Sequence, residues 1–344
     1  MRRPLLIALV AAAVAAVVAV VVGVSLAHAA ARGDALATFQ EASAELRDVV
    51  STTEDALGEA GEVLALGTDP LAPTAELEVL AARHAAAGEL AADARGRLSA
   101  ETGPLDTDGI RALSDDLRAL GRSLDDTGLA DALDAVLDAA ATGAATIETS
   151  NFDANNAPRI AFRAATAALA DPEPTQVGEA LAAYLDAAHA LEASHAAELA
   201  EKAGPLFEAR LAVQDFARSL SGGVLLEFDW APVVNGYGTG GSYGGTSYWT
   251  TADGGQATIT LTDSVAAQWP GDGVQALVVH EVGHAILARR DCNELFFESD
   301  LYPGEEESWA TAWAIGLGYT ADGSGESVYG RPSDALIALS AACR

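Results

Sequence analysis

From Pro4 to Ala27 the chain runs for 24 residues without one charged side chain, and Arg2 and Arg3 precede the run. As a helix rising 1.5 Å per residue, such a stretch is about 36 Å long, enough to cross a hydrocarbon layer about 30 Å thick. A water-soluble core has no place for a helix of this length without a polar face, so the run predicts a membrane anchor or an export signal. Two arginines ahead of the span and none within it place the start inside and the remainder outside. Ala27-His28-Ala29 is also a small-x-small cleavage word, so residues 1–29 read as anchor or as cleaved signal peptide, the length of the run favouring the anchor. Either way the rest is extracytoplasmic, held at the cell membrane with its N-terminus inside, or secreted. In an oxidising compartment the two cysteines, Cys292 and Cys343, are expected to pair.

Beyond the span the sequence has two regimes. All five tryptophans and six of the seven tyrosines follow residue 218, whereas the middle of the chain is rich in Ala, Leu and Asp. Leu36, Phe39, Ser43, Leu46, Val50, Thr53, Leu57, Ala60 and Leu64 recur at spacings of three and four, as do Leu77, Leu80, His84, Ala87, Ala91, Ala94 and Leu98. These are heptad seams, with breaks at Pro70 to Pro73 and Gly103-Pro104, and they predict two antiparallel helices. Further helical runs occupy about 107–121, 124–148, 158–170 and 174–221, with the Asp171-Pro172-Glu173-Pro174 breaker between the last two. Residues 33–220 therefore read as an acidic helical bundle. Its histidines carry no visible chemistry: His84 sits on a seam, and His189 and His195, six apart, are about 240° apart around a helix. The 19 basic against 50 acidic residues, a formal charge of −31, exclude nucleic acid as a partner, which requires a basic footprint.

Twelve glycines lie between Gly222 and Gly273, around β-type runs at Val224–Trp230, Thr246–Thr251 and Gln256–Thr262, with Asp253-Gly254 marking a hairpin. The run Gly236 to Gly245 lacks the context of a phosphate loop and reads as a flexible loop or lid. Then comes VQALVVHEVGHAILARR, a helical pattern holding HEVGH at residues 280–284. Four residues apart, His280 and His284 project from one helical face and can share one metal ion, and Glu281 beside them can reach a water on that ion. Residues 221–344 thus read as a small metal-binding domain, and the chain as α+β: an N-terminal membrane or signal helix, an all-α bundle, and a small α+β domain with a short antiparallel sheet.

A hydrolytic site of this kind wants a third protein ligand. No histidine follows His284, so the ligand is a carboxylate, from Asp291, Glu294, Glu298, Asp300 or the triplet Glu305-Glu306-Glu307 that opens the helical run ESWATAWAIGLG. Glu307 shares a small-residue face with Ala310, Ala314 and Gly318, while Glu306 lines up with Ala310 and Trp313, and spacing leaves these two open. HEVGH followed after 22 residues by E-S-W-A-T-A-W-A resembles the gluzincin arrangement of zincin metallopeptidases, locally that of ImmA/IrrE-type peptidases, over roughly residues 256–318. The resemblance implies a zincin-like fold, Zn2+ bound by His280, His284 and Glu307, and Glu281 as general base. It also puts Thr311 where such families carry an Asn or Asp that orients a ligand histidine. It makes Thr258 to Thr262 the strand edge along which a peptide substrate adds, and asks for an oxyanion donor, for which Tyr302, Tyr319 and Tyr329 are available.

The reading expected from the sequence is an exported, membrane-anchored zinc metallopeptidase acting on a peptide or protein. The competing reading is an extracytoplasmic helical interaction or sensor protein whose zinc domain is structural or inactive.

Overall fold

A computed structural model describes residues 3–100, 105–173 and 175–344 of the protein, with side chains from Val14 onward. Arg2, the Gly103-Pro104 break and Pro174 lie outside the described residues. The chain forms two compact units: one comprises residues up to Gly143 together with Ala168–Leu185, the other Ala144–Ala167 together with Asp186–Arg344.

In the first unit the apolar run and the first seam are one helix, α1 (Arg3–Ala65). Its large apolar side chains from Val14 to Leu26 are all half or more exposed, and it is long and apolar enough to cross a membrane. Burial begins at Ala35, with no break in the helix between the two environments. α2 (Thr74–Ser99) and α3 (Thr107–Asp125) pack on it, α3 opening with the Asp106 carboxylate accepting from Gly109 N–H at 2.8 Å. Their shared core holds Ala42, Leu46 and Val50 of α1, Ala91 and Ala94 of α2, and Leu117 and Leu124 of α3. The seams therefore serve a three-helix contact. Leu36, expected on the seam, is exposed, and Ala35 is buried in its place. Alanines at the contacts let helices approach closely, so this unit needs little aromatic filling. α4 (Leu129–Ser150), α5 (Asn156–Ala168) and α6 (Val177–Glu201) follow.

The single helical run expected over 174–221 is two helices, α6 and α7 (Phe207–Ser219), parted around Gly204-Pro205, where proline lacks the N–H that a continuous helix would use. The chain then enters β1 (Leu225–Ala231), β2 (Gly245–Thr250) and β3 (Gln256–Thr262), which lie in the order β1-β3-β2. The sheet is mixed, where the sequence suggested antiparallel. β2 and β3 form the antiparallel hairpin about Asp253-Gly254, but β1 runs parallel to β3, with Phe228 opposite Ile259. The long segment 232–244 makes this possible, because it carries the chain past the place of one strand and lets β3 insert between the other two. Six short helices complete the unit: α8 (Asp263–Gln268), α9 (Asp272–Ile286), α10 (Arg290–Phe297), α11 (Glu307–Gly316), α12 (Glu326–Tyr329) and α13 (Asp334–Ser340). Trp309 and Trp313 are buried in its core, and Trp230, Trp249 and Trp269 pack against that core.

The second unit takes in helical residues 144–167 and 186–220, well before the change of composition near 220. Buried polar contacts explain this. Lys202, the only lysine of the chain, is 1% exposed and stands 3.0 Å from Asp153 and 2.5 Å from Glu198. Arg218 of α7 reaches the other Asp153 oxygen at 2.7 Å. The Asn156 amide donates to the carbonyls of Leu225 and Ala257, at 3.3 and 3.1 Å, fixing the start of α5 to β1 and β3. Breaking a buried pair by removing one partner costs more than the pair contributes, because a charge is stranded. Asp153→Ala is therefore expected to destabilise the second unit by about 3–5 kcal/mol in a denaturant titration.

Cys292 and Cys343 form a disulfide, closing a loop across a separation of 51 residues, and both are buried. Loop-closure entropy assigns such a link about 4 kcal/mol. The unreduced, denatured protein is expected to show no titratable thiol, and reduction to lower the unfolding midpoint of this unit.

Candidate metal centre

The site begins with how closely two helices approach. Gly283 of α9 lies against Ala310 of α11, and a Cβ on Gly283 would stand 2.9 Å from Ala310 Cα, closer than packed atoms tolerate. Trp309 donates its indole N–H to the Gly283 carbonyl at 3.0 Å and locks the crossing. At this separation the first residue of α11 reaches the histidine face of α9. Glu307 Oε2 stands 3.0 Å from His280 Nε2 and 3.3 Å from His284 Nε2, and the three ligand atoms lie within 4.8 Å of one another. This group could hold a metal ion. Ligands about 2.0–2.2 Å from a tetrahedral ion stand about 3.3–3.6 Å apart, and the observed spacings are close to that.

The donor chemistry fits as well. His280 Nδ1 stands 3.1 Å from the Ser324 carbonyl, which can only accept, so Nδ1 carries the proton and Nε2 presents its lone pair to Glu307. A lone pair facing a carboxylate is repulsive unless a proton or a metal cation joins them. The charges of the pocket show the same demand. Burial pushes the Glu307 carboxyl up, but the imidazoles of His280 and His284 beside it prevail and hold it well below the usual range. Burial lowers His284, and its bond to the Glu307 carboxylate with the charges of Glu281 and Glu307 outweighs it, raising the imidazole above its ordinary value.

Glu281 is 4% exposed, and its Oε2 has no hydrogen-bond partner. Burial raises its pKa, His280 and His284 lower it in part, and the result stays above its ordinary value. A glycine at the start of β2 makes room for it: a Cβ at Gly245 would stand 2.8 Å from Glu281 Cγ. A groove of about 330 Å³ runs beside these residues, its walls including Tyr237, Tyr243, Gly245, Leu277, Val328 and Tyr329.

The structure brings together His280, His284, Glu307 and Glu281, and separates the remaining candidates. Glu306 accepts from the Trp249 indole at 3.1 Å and so points to β2, and Asp291 pairs with Arg289 at 2.7 Å. Glu294, Glu298, Asp300 and Glu305 do not join the group. Of the three tyrosines, Tyr302 packs on Phe296 and Phe297, and Tyr319 on Phe216. Tyr329 alone adjoins the site, its ring parallel to His280 at 5.9 Å. Burial and then the charge and hydrogen bond of Glu307 push its phenol up to about 12.

Three expectations need correction. Thr311 does not orient His280: its hydroxyl is buried without a partner, and the Ser324 carbonyl takes that role from the Gly-rich turn before α12. A backbone carbonyl leaves no side-chain signature, so sequence could not find it. Thr258 to Thr262 cannot receive a peptide strand, since β3 is paired on both edges; β1 and β2 are the edge strands, and on the β2 side Gly244 and Gly245 line the groove. Nor is Gly236–Gly245 a free flap. Gly238 N–H donates to the Ser242 hydroxyl, Gln268 to the Gly241 carbonyl, and the Tyr243 hydroxyl to the Asp322 carbonyl, so the segment is a knitted wall. His84, His189 and His195 stand outside the group; His195 accepts from Asp153 N–H and packs on Phe152.

No family model, curated protein or solved structure matches the chain. The functional reading rests on the residues and their geometry.

Elemental analysis of purified protein is expected to find one metal ion per chain. Ala in place of His280, His284 or Glu307 should lower metal affinity by at least 10-fold. Glu306→Gln should leave it within about 2-fold, since Glu306 bonds the indole.

Proposed function

We propose that the chain is a membrane-anchored, extracytoplasmic zinc peptidase of the gluzincin type. The observation that carries this reading is Glu281: a buried carboxylate with an unpartnered oxygen, set against a groove beside a converging His-His-Glu group. A structural metal site has no use for such a group, whose burial costs free energy without a partner.

His280, His284 and Glu307 would hold the ion, and two imidazole nitrogens with one carboxylate oxygen are a donor set that zinc accepts. Zinc, when bound, acidifies a coordinated water and polarises the scissile carbonyl. Glu281 receives the proton of the attacking water and passes it to the departing amine; its raised pKa brings it nearer to the proton affinities between which it must work. Tyr329, kept protonated by its raised pKa, donates its hydroxyl to the carbonyl oxygen as negative charge grows there. The free edge of β2 offers backbone groups to an extended peptide, which places the substrate over Gly245 and Glu281. Among the described residues the metal group has three members, which supports an open fourth position and favours the peptidase over a closed structural site.

The apolar part of α1 is long enough to cross a membrane, which supports the anchor. The buried disulfide supports an oxidising compartment. The mature protein is expected in the membrane fraction with residues before Ala30 retained, as N-terminal sequencing would show.

Glu281→Gln should keep the metal and lose about 10²–10⁴-fold in kcat on a responsive peptide. Cleavage at the wild-type rate would refute the mechanism. Tyr329→Phe should lower kcat by about 10²-fold with little change in KM, the mark of an interaction made in the transition state.

A further inference from the structure

A second cavity lies away from the metal centre. It lies in the first unit, about 630 Å³, lined by α1, the first half of α4, and the residues Leu169, Asp171, Pro172, Thr175 and Val177. Leu133, Leu137, Leu169 and Val177, all buried, form an apolar floor. Asp55, Glu59, Asp134, Asp138 and Asp171 stand at the rim, and none of the described residues lining the cavity is basic.

The rim is built against the helices' own interest. Asp55 and Glu59 are four apart on α1, Asp134 and Asp138 four apart on α4, and like charges at that spacing repel. None of the five carboxylates takes part in an ion pair among the described residues; Glu59 accepts from the Gly178 N–H at 3.3 Å. A metal ion does not explain them. The described residues contain one group of His, Cys, Asp and Glu close enough to hold an ion, and it is the one at His280, so these carboxylates ring the cavity without converging. A negative rim over an apolar floor in a cavity of this size complements a small molecule with an apolar body and a positive head.

We propose that this cavity is a binding site for an organic ammonium ion carrying an apolar group. The apolar body lies on Leu133, Leu137 and Leu169, and the cationic head stands among the rim carboxylates. This site is separate from the metal centre, and the inference does not rest on the peptidase reading.

The test uses the full chain in nanodiscs of zwitterionic lipid, titrated calorimetrically with phenethylammonium and, separately, with phenethyl alcohol, phenylacetate, calcium and hexa-arginine. Phenethylammonium is expected to bind at least 10-fold more tightly than phenethyl alcohol, and phenylacetate not to bind. The advantage should shrink as salt rises and vanish in Asp134→Asn/Asp138→Asn, whose thermal unfolding should match wild type. If that pair fails to fold, Asp55→Asn/Glu59→Gln on the opposite helix makes the same measurement. Equal binding of amine and alcohol, or unchanged amine binding in both charge-removed variants, overturns the proposal. So does displacement of the amine by equimolar calcium, which would mark a metal site, or binding of hexa-arginine alone, which would mark a peptide surface.

Discussion

The contact on which the candidate site depends is the crossing of α9 over α11 at Gly283 and Ala310. A metal group assembled from HEVGH and a distant carboxylate is only as good as the distance between the helices carrying them. Here no side chain intervenes at the crossing, and an indole hydrogen bond from Trp309 holds it shut. Glu307 then meets both imidazoles from the first turn of its helix, where backbone N–H groups favour a negative charge. The same crossing buries Trp309 and Trp313, so the filling of the core and the placing of the ligands are one event.

Much of this was legible in the sequence, for reasons that differ by residue. The i, i+4 spacing of His280 and His284 fixes one helical face, and the small residues on the helix of Glu307 mark a close approach. The hairpin at Asp253-Gly254 carries its own turn chemistry. What stayed hidden was decided by groups without a sequence signature. A serine carbonyl, not the threonine, orients His280, and the edge strand is set by which strand inserts between the others. The choice between Glu306 and Glu307 turned on an indole on β2 that occupies one of them. Composition and packing divide the chain at different places, because Ala-rich helices on either side look alike. The ion cluster about Lys202 and the amide of Asn156 assign some of them to the sheet.

The formal charge of −31 is not spent uniformly. Most carboxylates face water on helices, where they maintain solubility and little else. A few are held among fixed neighbours: Asp153 between two cations, Glu307 between two imidazoles, and Glu281 buried with one oxygen unpartnered. What sets these apart is where the fold holds them rather than residue type.

The unbroken α1 has a mechanical meaning. At 1.5 Å per residue the part from His28 to Ala65 extends about 57 Å, and it is stiff from the apolar run into the three-helix core. In the anchored form no swivel separates bilayer from core. A span that tilts to match a thinner membrane tilts the first unit with it, so bilayer thickness is converted into the angle at which that unit stands above the surface.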